Sequence, residues 1–410
     1  MVAPVIRSPR AILALLTALN LLNYLDRYVL SAVLPKIQDD LHLSNFVGGS
    51  LATVFLIGYF ATSPVFGSLG DRARPGGRKG LIALGIAVWS LATVGSGLAR
   101  AAGALVLSRA VVGVGEASYA TIAPTLIDEF APAGRKGRWL AIFYTATPVG
   151  SALGYVVGGA IEAATHDWRM AFFVAGGPGL VLSLLCLAIA EPERQVTARQ
   201  PDVLGSAREL ARIPSYRNVI LGYCAYTFAL GGFAYWAPKY LAAQYGMAVG
   251  KASMVFGLVT VVAGAIGTMG GGVLGDHWTH GKTEDRPALR AAVAVCALSA
   301  GLGAPLALLA ILGPSPLAFF VLAFPCMVAL FLCSGPINVA ILRSVPAGLR
   351  ASAMALSILA IHLFGDLWSP PLIGLAADHA PMMWAMLACP VFFGLGALVW
   401  ARGHASLRLT

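Results

Sequence analysis

The sequence predicts an all-α membrane protein with twelve transmembrane helices in two six-helix halves, and three observations carry that expectation. Hydrophobic residues make up 58% of the chain and charged residues only 11%, against about 25% charged in a soluble domain. Mean hydropathy is +0.79; at about 20 residues per span with short loops, the 410 residues suit twelve helices. Basic residues alternate from one connection to the next. The termini and even-numbered connections hold 21 lysines and arginines and the odd-numbered ones 5, with Arg27 and Arg109 left inside spans. Finally, Gly67-Ser-Leu-Gly-Asp71-Arg72 at the end of the second apolar segment returns in weaker form at the end of the eighth. There it reads Gly271-Gly-Val-Leu-Gly-Asp276-His277, with Asp276 lying 205 positions after Asp71.

Taken in order, the apolar segments place spans near 11–35, 45–70, 79–99, 103–127, 138–163, 169–190, 217–238, 250–275, 288–312, 316–342, 351–377 and 382–401. The long hydrophilic stretch 191–216 separates an N-terminal bundle, 1–190, from a C-terminal bundle, 217–410. By the positive-inside rule both termini are cytoplasmic. The first apolar run is too long for a cleavable signal peptide and continues into charged residues. A net charge of +10 raises the possibility of nucleic-acid binding, but its confinement to alternate connections fits membrane topology instead. The six cysteines (Cys186, Cys224, Cys296, Cys326, Cys333 and Cys389) all fall in apolar spans without metal-type spacing, as expected of buried thiols that pack rather than ligate. No cofactor is expected.

The first span carries an acid and a base side by side. On a helix Asn20, Asn23, Tyr24, Arg27 and Ser31 form one polar stripe, and Asp26 shares a face with Asn23. A charge at mid-membrane costs on the order of 2.5–3.5 kcal/mol on insertion scales. Such a stripe therefore needs a watery cavity or charged partners; a structural ion pair between helices is the competing explanation. The fourth span holds Arg109 and Glu116, seven residues apart. They lie on nearly one face but about 10.5 Å apart along the axis, too far to pair with each other. Asp26 and Arg27 are the obvious partners, and an Arg27–Glu116 contact with Asp26 nearby is expected. Burial raises a carboxyl pKa and a guanidinium lowers it, so helix movement that changes the balance lets Asp26 or Glu116 take and release a proton. Arginine stays charged; Arg27 and Arg109 are then counter-ions or substrate anchors.

Later spans add weaker signals. In the fifth, Gly150, Gly154 and Gly158 recur at four-residue steps, the small-residue surface on which membrane helices pack. The seventh carries Tyr223 and Tyr226 deep enough to line a cavity. The tenth contains Gly335-Pro336-Ile-Asn338, a break beside a polar side chain. In the eleventh, His362 and Asp366 share a face at i and i+4. They read either as a second proton relay or as a solvated pair near the interface.

Gly67-x-Leu-Gly-Asp71-Arg72 with trailing Gly77-Arg78-Lys79 resembles the loop between spans two and three of the major facilitator superfamily, with a few extra residues after Arg72. Asn23-Tyr24-x-Asp26-Arg27, Gly113-x-Gly115-Glu116-Ala117-Ser118-Tyr119 and Ile361-His362-x-x-Gly365-Asp366-x-x-Ser369-Pro370-Pro371 together resemble its Spinster branch. The resemblance implies the major facilitator fold, two pseudo-symmetric bundles giving alternating access. It also implies proton-dependent movement of lysophospholipids or lipids like sphingosine-1-phosphate. Asp26, Arg27 and Glu116 would form the coupling group, and Asp71, Arg72, Arg78 and Asp276 would serve the cytoplasmic gate.

The composition of the spans leans the same way. Sugar sites need many amide and hydroxyl partners, yet Gln38, Gln195, Gln200 and Gln244 all lie outside the spans or at their edges. A sparse polar cavity with arginines suits an amphipath with an anionic or zwitterionic head. Arg27, Asn23, Tyr24, Arg109, Tyr223, Tyr226, Asn338, His362 and Asp366 are its candidate contacts. A multidrug or organic-ion exporter is the alternative within transport, and a receptor or scaffold on the same fold the alternative outside it. No nucleotide loop, metal cluster or Ser-His-Asp arrangement supports an enzyme. The expected partners are the lipid or hydrophobic substrate, protons and membrane lipid, for a monomer in the plasma (inner) membrane.

Overall fold

A computed structural model describes residues 6–73, 76–132, 135–191, 203–279 and 285–409. Apart from one parallel bridge, Ile6 to Ile189, its regular elements are helical. They run α1 (Pro9–Leu41), α2 (Asn45–Arg72), α3 (Gly77–Leu98), α4 (Ala102–Phe130), α5 (Lys136–Thr165), α6 (Trp168–Leu187) and α7 (Val203–Arg212). Then follow α8 (Pro214–Tyr245), α9 (Val249–Thr279), α10 (Asp285–Ile311), α11 (Pro316–Phe331), α12 (Pro336–Arg343), α13 (Arg350–Ile361), α14 (Ser369–His379), α15 (Met382–Met386) and α16 (Ala388–Leu409). Among the described residues eleven helices are long and apolar enough to cross a membrane, some counted across a break. The further long helix is α1, 33 residues, whose Asn20, Asn23, Asp26 and Arg27 lower its hydropathy. It continues past Pro35, where the sequence suggested an end; membrane helices tolerate proline because neighbouring groups re-satisfy the backbone. Residues 192–202 of the expected linker, with Arg194 and Arg199, lie outside the described residues, as do Arg74 and Lys282.

The chain divides into unit 1, Met1–Ala198 with Met247–Leu258, and unit 2, Arg199–Gly246 with Val259–Thr410. Within unit 1, small residues let helices approach until backbones touch. On α5, a Cβ added to Gly154 would sit 2.5 Å from the Leu25 carbonyl of α1, and one on Gly158 would sit 2.9 Å from Ala32 Cβ. On α4, Gly113 lies against the Phe55 carbonyl of α2, while a Cβ on Gly115 would fall 2.5 Å from the Trp89 nitrogen of α3. Helix α4 is thus clamped between α2 and α3. The opening turns of α9 also pack in unit 1: Gly250 N–H donates to Glu162 Oε2 at 2.9 Å, and Ser253 Oγ to the Ala32 carbonyl at 2.7 Å.

Unit 2 is built around interrupted helices whose carbonyls are freed at the breaks. The Gly335-Pro336 break parts α11 from α12. The Leu330 carbonyl there accepts Tyr226 Oη at 2.8 Å and Ser299 Oγ at 3.0 Å. Between α13 and α14 lies a π-helical turn, His362–Asp366, which the sequence did not signal. The Ile361 carbonyl beside it accepts Thr227 Oγ1 at 3.2 Å. Carbonyls beside a break in a helix are expensive to leave unpaired in lipid. Two tryptophans of this unit add bonds to carbonyls within helices: Trp236 Nε1 donates to the Pro370 carbonyl at 2.9 Å, and Trp400 Nε1 to the Val219 carbonyl at 3.1 Å. All six cysteines are buried free thiols.

Candidate functional site

Four ionisable side chains meet inside unit 1, near the middle of α1 and α4. Arg27 donates through Nε to Glu116 Oε2 at 2.7 Å, and its Nη2 lies 2.6 Å from the same oxygen. Arg109 Nη1 lies 3.7 Å from Asp26 Oδ1. The other Asp26 oxygen accepts a hydrogen bond from Thr93 Oγ1 of α3. Glu116 is 0% exposed and Asp26 and Arg109 1% each. Only the Arg27 side chain, 18% exposed, reaches an open face. Two acids and two bases sum to zero charge, the arrangement that makes buried charges tolerable. The network is nonetheless incompletely satisfied. Asp26 Oδ1, Glu116 Oε1, Asn23 Nδ2 and Arg109 Nε have no hydrogen-bond partner among the described residues. Buried polar groups are paired in the great majority of cases, so this concentration sets the cluster apart from an ordinary packing contact.

The motif in α4 shows how the sequence builds it. Gly113 and Gly115 admit α2 and α3 at backbone distance. Ser118 Oγ donates to the Leu81 carbonyl of α3 at 2.7 Å, and Tyr119 Oη to the Leu16 carbonyl of α1. Each neighbour of Glu116 thereby fixes α4 against one surrounding helix, and Glu116 is delivered to Arg27. Around Arg27 the rings of Tyr24 and Phe55 have their centroids 4.8 Å from Cζ, and Tyr59 lies at 5.4 Å. Such cation–π contacts hold a guanidinium over an apolar surface. Tyr24 therefore belongs to this site, Asn23 is buried one residue before it on α1, and the Arg27–Glu116 contact expected from spacing is present.

Three contributors were not singled out from the sequence: Thr93, Phe55 and Tyr59. Ser90 and Thr93 on α3 are three apart and both buried, a short polar face that could have been noticed. Phe55 and Tyr59 share a face of α2 but carry no chemical signal. A Thr93→Val substitution keeps the shape and removes one hydrogen bond to a charged acceptor, worth about 1.5–3 kcal/mol. The expected result is a lower melting temperature in detergent with unchanged elution behaviour; equal melting of both proteins would show that the contact contributes nothing.

The remaining candidates belong to other stretches of the chain. Tyr226 is buried and its hydroxyl is engaged by Leu330; its ring packs on Phe393 and Trp400, and Tyr223 lies 6.2 Å from it. Asn338 is exposed on α12 and turns its amide back to the Ser334 carbonyl at 3.0 Å. His362 Nδ1 and Asp366 Oδ1 are paired at 2.9 Å within the π-helical turn, both half-buried. Asp71 and Arg72 are exposed at the end of α2, and Asp276 near the end of α9. Arg78 stands at the start of α3 and is only 3% exposed. It grips Glu129 through both terminal nitrogens, at 2.8 and 2.7 Å, and Glu191 through Nε at 2.7 Å. No cluster of metal-ligating side chains occurs among the described residues.

The sequence model of the Major Facilitator Superfamily matches residues 16–365. Protein spinster homolog 1 of Homo sapiens is 36% identical over 400 residues, which cover 91% of this chain and 74% of that protein. The probable sphingolipid transporter spinster homolog 2 of Arabidopsis thaliana is 33% identical over 436 residues, covering 97% of this chain and 87% of its own. Among solved structures, a bacterial homologue of the human lysosomal transporter Spinster, inward-facing and unoccupied, superposes with a TM-score of 0.84. It shares 20% sequence identity and 98% coverage of both chains. A D-xylose–proton symporter superposes at 0.72 with 20% identity, covering 95% of this chain and 97% of its own. Twelve long helical passages among the described residues, a buried charge network seated in the first and fourth of them, and relatives matching over nearly the whole sequence converge: this chain is a multi-pass membrane transporter of the Major Facilitator Superfamily and belongs to its Spinster branch.

Proposed function

We propose that the chain is a proton-coupled secondary transporter of amphipathic lipids with an anionic or zwitterionic head, of the lysophospholipid or sphingosine-1-phosphate kind. The observation that carries the reading is the Arg27–Glu116 pair beside Arg109–Asp26. Arg27 is the one member with an open face, and it is wrapped in aromatic rings. An anionic headgroup arriving there competes with the Glu116 carboxylate for the guanidinium. Protonating Glu116 removes that competitor and leaves the cluster one positive charge in excess, which the headgroup neutralises. Proton and anion therefore favour each other's binding, which is the thermodynamic content of coupling. Asp26 is the second proton site, held by Arg109 and Thr93. Arg27, Asn23 and Tyr24 contact the head; Arg109 sets the charge balance. The division into bundles 1–190 and 217–410, alternating access between them, and both termini on the cytoplasmic side of the plasma (inner) membrane belong to the same proposal. So does a monomeric transporter.

The naming of the Arabidopsis relative as a probable sphingolipid transporter supports the lipid class. The test is flux in proteoliposomes with an imposed pH gradient, using labelled lysophospholipid, a sphingoid phosphate and a hydrophobic organic cation in parallel. Gradient-driven accumulation of the phospholipid or sphingoid phosphate alone is expected. Accumulation of the cation in preference to either lipid would move the protein to the multidrug class. Absence of flux for all three would favour a receptor or scaffold.

A further inference from the structure

One ring of unit 1 meets both positive members of the charge network. The centroid of Phe55, on α2, lies 4.8 Å from Arg27 Cζ and 5.5 Å from Arg109 Cζ. Tyr24 and Tyr59 stand 4.8 and 5.4 Å from Arg27 Cζ. Among the described residues Phe55 is the ring in cation–π contact with both guanidinium groups. It is 4% exposed, and its side chain has no polar atom to give to the hydrogen bonds of the network.

Main-chain packing puts the ring there. Gly113 lies four residues after Arg109 and three before Glu116, so the three share a face of α4. A Cβ on Gly113 would collide with the Phe55 carbonyl and fall 2.9 Å from the Tyr59 nitrogen. The contact is reciprocal, since a Cβ on Gly58 of α2 would collide with the Ala110 carbonyl of α4. Small residues that let two membrane helices touch along their backbones also set their register. That register stations Phe55 opposite the interval between Arg109 and Glu116. The position of the ring is thus fixed independently of the charges it meets.

Two arginines and two acids in one cluster can pair in more than one way, and the two cations repel each other. An aromatic ring carries negative potential on its face. A guanidinium can stack its own face there while its N–H edge stays available to a carboxylate. Arg27 uses its edge in this way, with Nε and Nη2 at 2.7 and 2.6 Å from one Glu116 oxygen. The charged groups that act on Glu116 are Arg27 and Asp26 from α1 and Arg109 on α4 itself. Tyr24 of α1 and Tyr59 of α2 adjoin Arg27, and Tyr144 of α5 faces both tyrosines. Helix α3 contributes the uncharged Thr93, at Asp26. We infer that Phe55 is a positioning residue, its ring a common seat for both guanidinium groups that keeps Arg27 on Glu116 and Arg109 on Asp26. The inference rests on reading this cluster as the proton-coupling site, and it names the side chain that holds the pairing in place.

The test uses the full chain reconstituted in lipid, with the carboxyl bands of Glu116 and Asp26 titrated by infrared difference spectroscopy. Each band is identified by its loss in Glu116→Gln or Asp26→Asn. Position 55 carries phenylalanine, its mono-, di- or trifluorinated forms, or leucine (Phe55→Leu). Fluorine withdraws charge from the face of the ring and nearly preserves its shape, so it weakens the cation–π contact selectively. A guanidinium held less firmly stabilises its carboxylate less, and the carboxyl then keeps its proton to higher pH. Both midpoints are expected to rise with each fluorine, by roughly half a pH unit in the trifluorinated form and roughly one in Phe55→Leu. Fluorinated forms that titrate with the wild type would make Phe55 a filler of space and overturn the inference, whatever Phe55→Leu does. A shift to lower pH overturns it as well, because the ring would then compete with the carboxylates. Movement of one band alone overturns the shared seat. Should Phe55→Leu fail to fold, the fluorinated series decides by itself. The bands are read without flux, which keeps the two readings separable. Shifted midpoints in a protein without proton-driven flux retain the positioning role and remove the coupling, and proton-driven flux with unshifted midpoints does the reverse.

Discussion

Glu116→Gln is expected to abolish pH-driven accumulation while leaving the protein folded and able to equilibrate substrate. Glu116 is fully buried at the centre of α4, and one of its oxygens is held by Arg27 while the other has no partner among the described residues. Glutamine keeps the shape and can still accept from Arg27, but it carries no charge and takes up no proton. The sign follows directly. Under the proposed coupling, lowering pH should neutralise Glu116 in the wild type, free Arg27 for an anionic head and raise apparent affinity, whereas in the variant that dependence should be flat. One proton per substrate and a gradient of one pH unit sustain about tenfold accumulation. Proteoliposomes containing the variant should show none, while exchange of labelled for unlabelled lipid continues. Tenfold accumulation retained by the variant would remove Glu116 from coupling and leave Asp26 to be tested by Asp26→Asn.

The path from sequence to this cluster was short for some residues and closed for others. The stripe Asn23, Tyr24, Arg27 on α1 was visible because helical periodicity puts residues three and four apart on one face. Arg109 and Glu116 were visible as residues in need of partners, since two helical turns separate them. Their assignment, Glu116 to Arg27 and Arg109 to Asp26, became fixed only with the close approach of α4 to α2 and α3, which Gly113 and Gly115 permit. Thr93 stands on a polar face with Ser90, but its role was hard to single out because a threonine in a membrane helix usually bonds its own backbone, as Thr121 does with the Ala117 carbonyl at 2.8 Å. By sequence Arg78 belongs to a loop and a gate. Its two glutamates come from the distant positions 129 and 191, and acids at span ends ordinarily read as solvated. The π-helical turn at His362–Asp366 is a one-turn change of hydrogen bonding with no compositional signature, and short α7 lies where only a hydrophilic linker was expected. Burial of Tyr226 follows from a similar cause. A tyrosine deep in a span looks like a cavity wall until the broken α11–α12 passage supplies a carbonyl for its hydroxyl.

Arg109→Ala should be the most destabilising single change in the cluster. Arg109 and Asp26 are both about 1% exposed and separated by 3.7 Å. Removing the arginine leaves a buried carboxylate with Thr93 as its hydrogen-bond donor and Arg27 committed to Glu116. Breaking a buried pair from one side costs about 3–5 kcal/mol, because the remaining charge is stranded. The alanine also opens a cavity beside Phe55, whose ring centroid lies 5.5 Å from Arg109 Cζ. A second substitution separates these two contributions. Asp26→Asn in the Arg109→Ala background removes the stranded charge but not the cavity, so it should recover a large part of the lost stability. Melting curves of the three proteins in one detergent measure this, with the double variant expected between wild type and Arg109→Ala. If the double variant melts at or below Arg109→Ala, the loss is one of packing, and Arg109 is a filler of space rather than the counter-ion that keeps Asp26 charged. The same comparison bears on transport. Under the proposed coupling, a cluster buried by virtue of its neutral total charge answers one added proton by recruiting an anion, and Arg109 supplies one of the two positive charges in that balance.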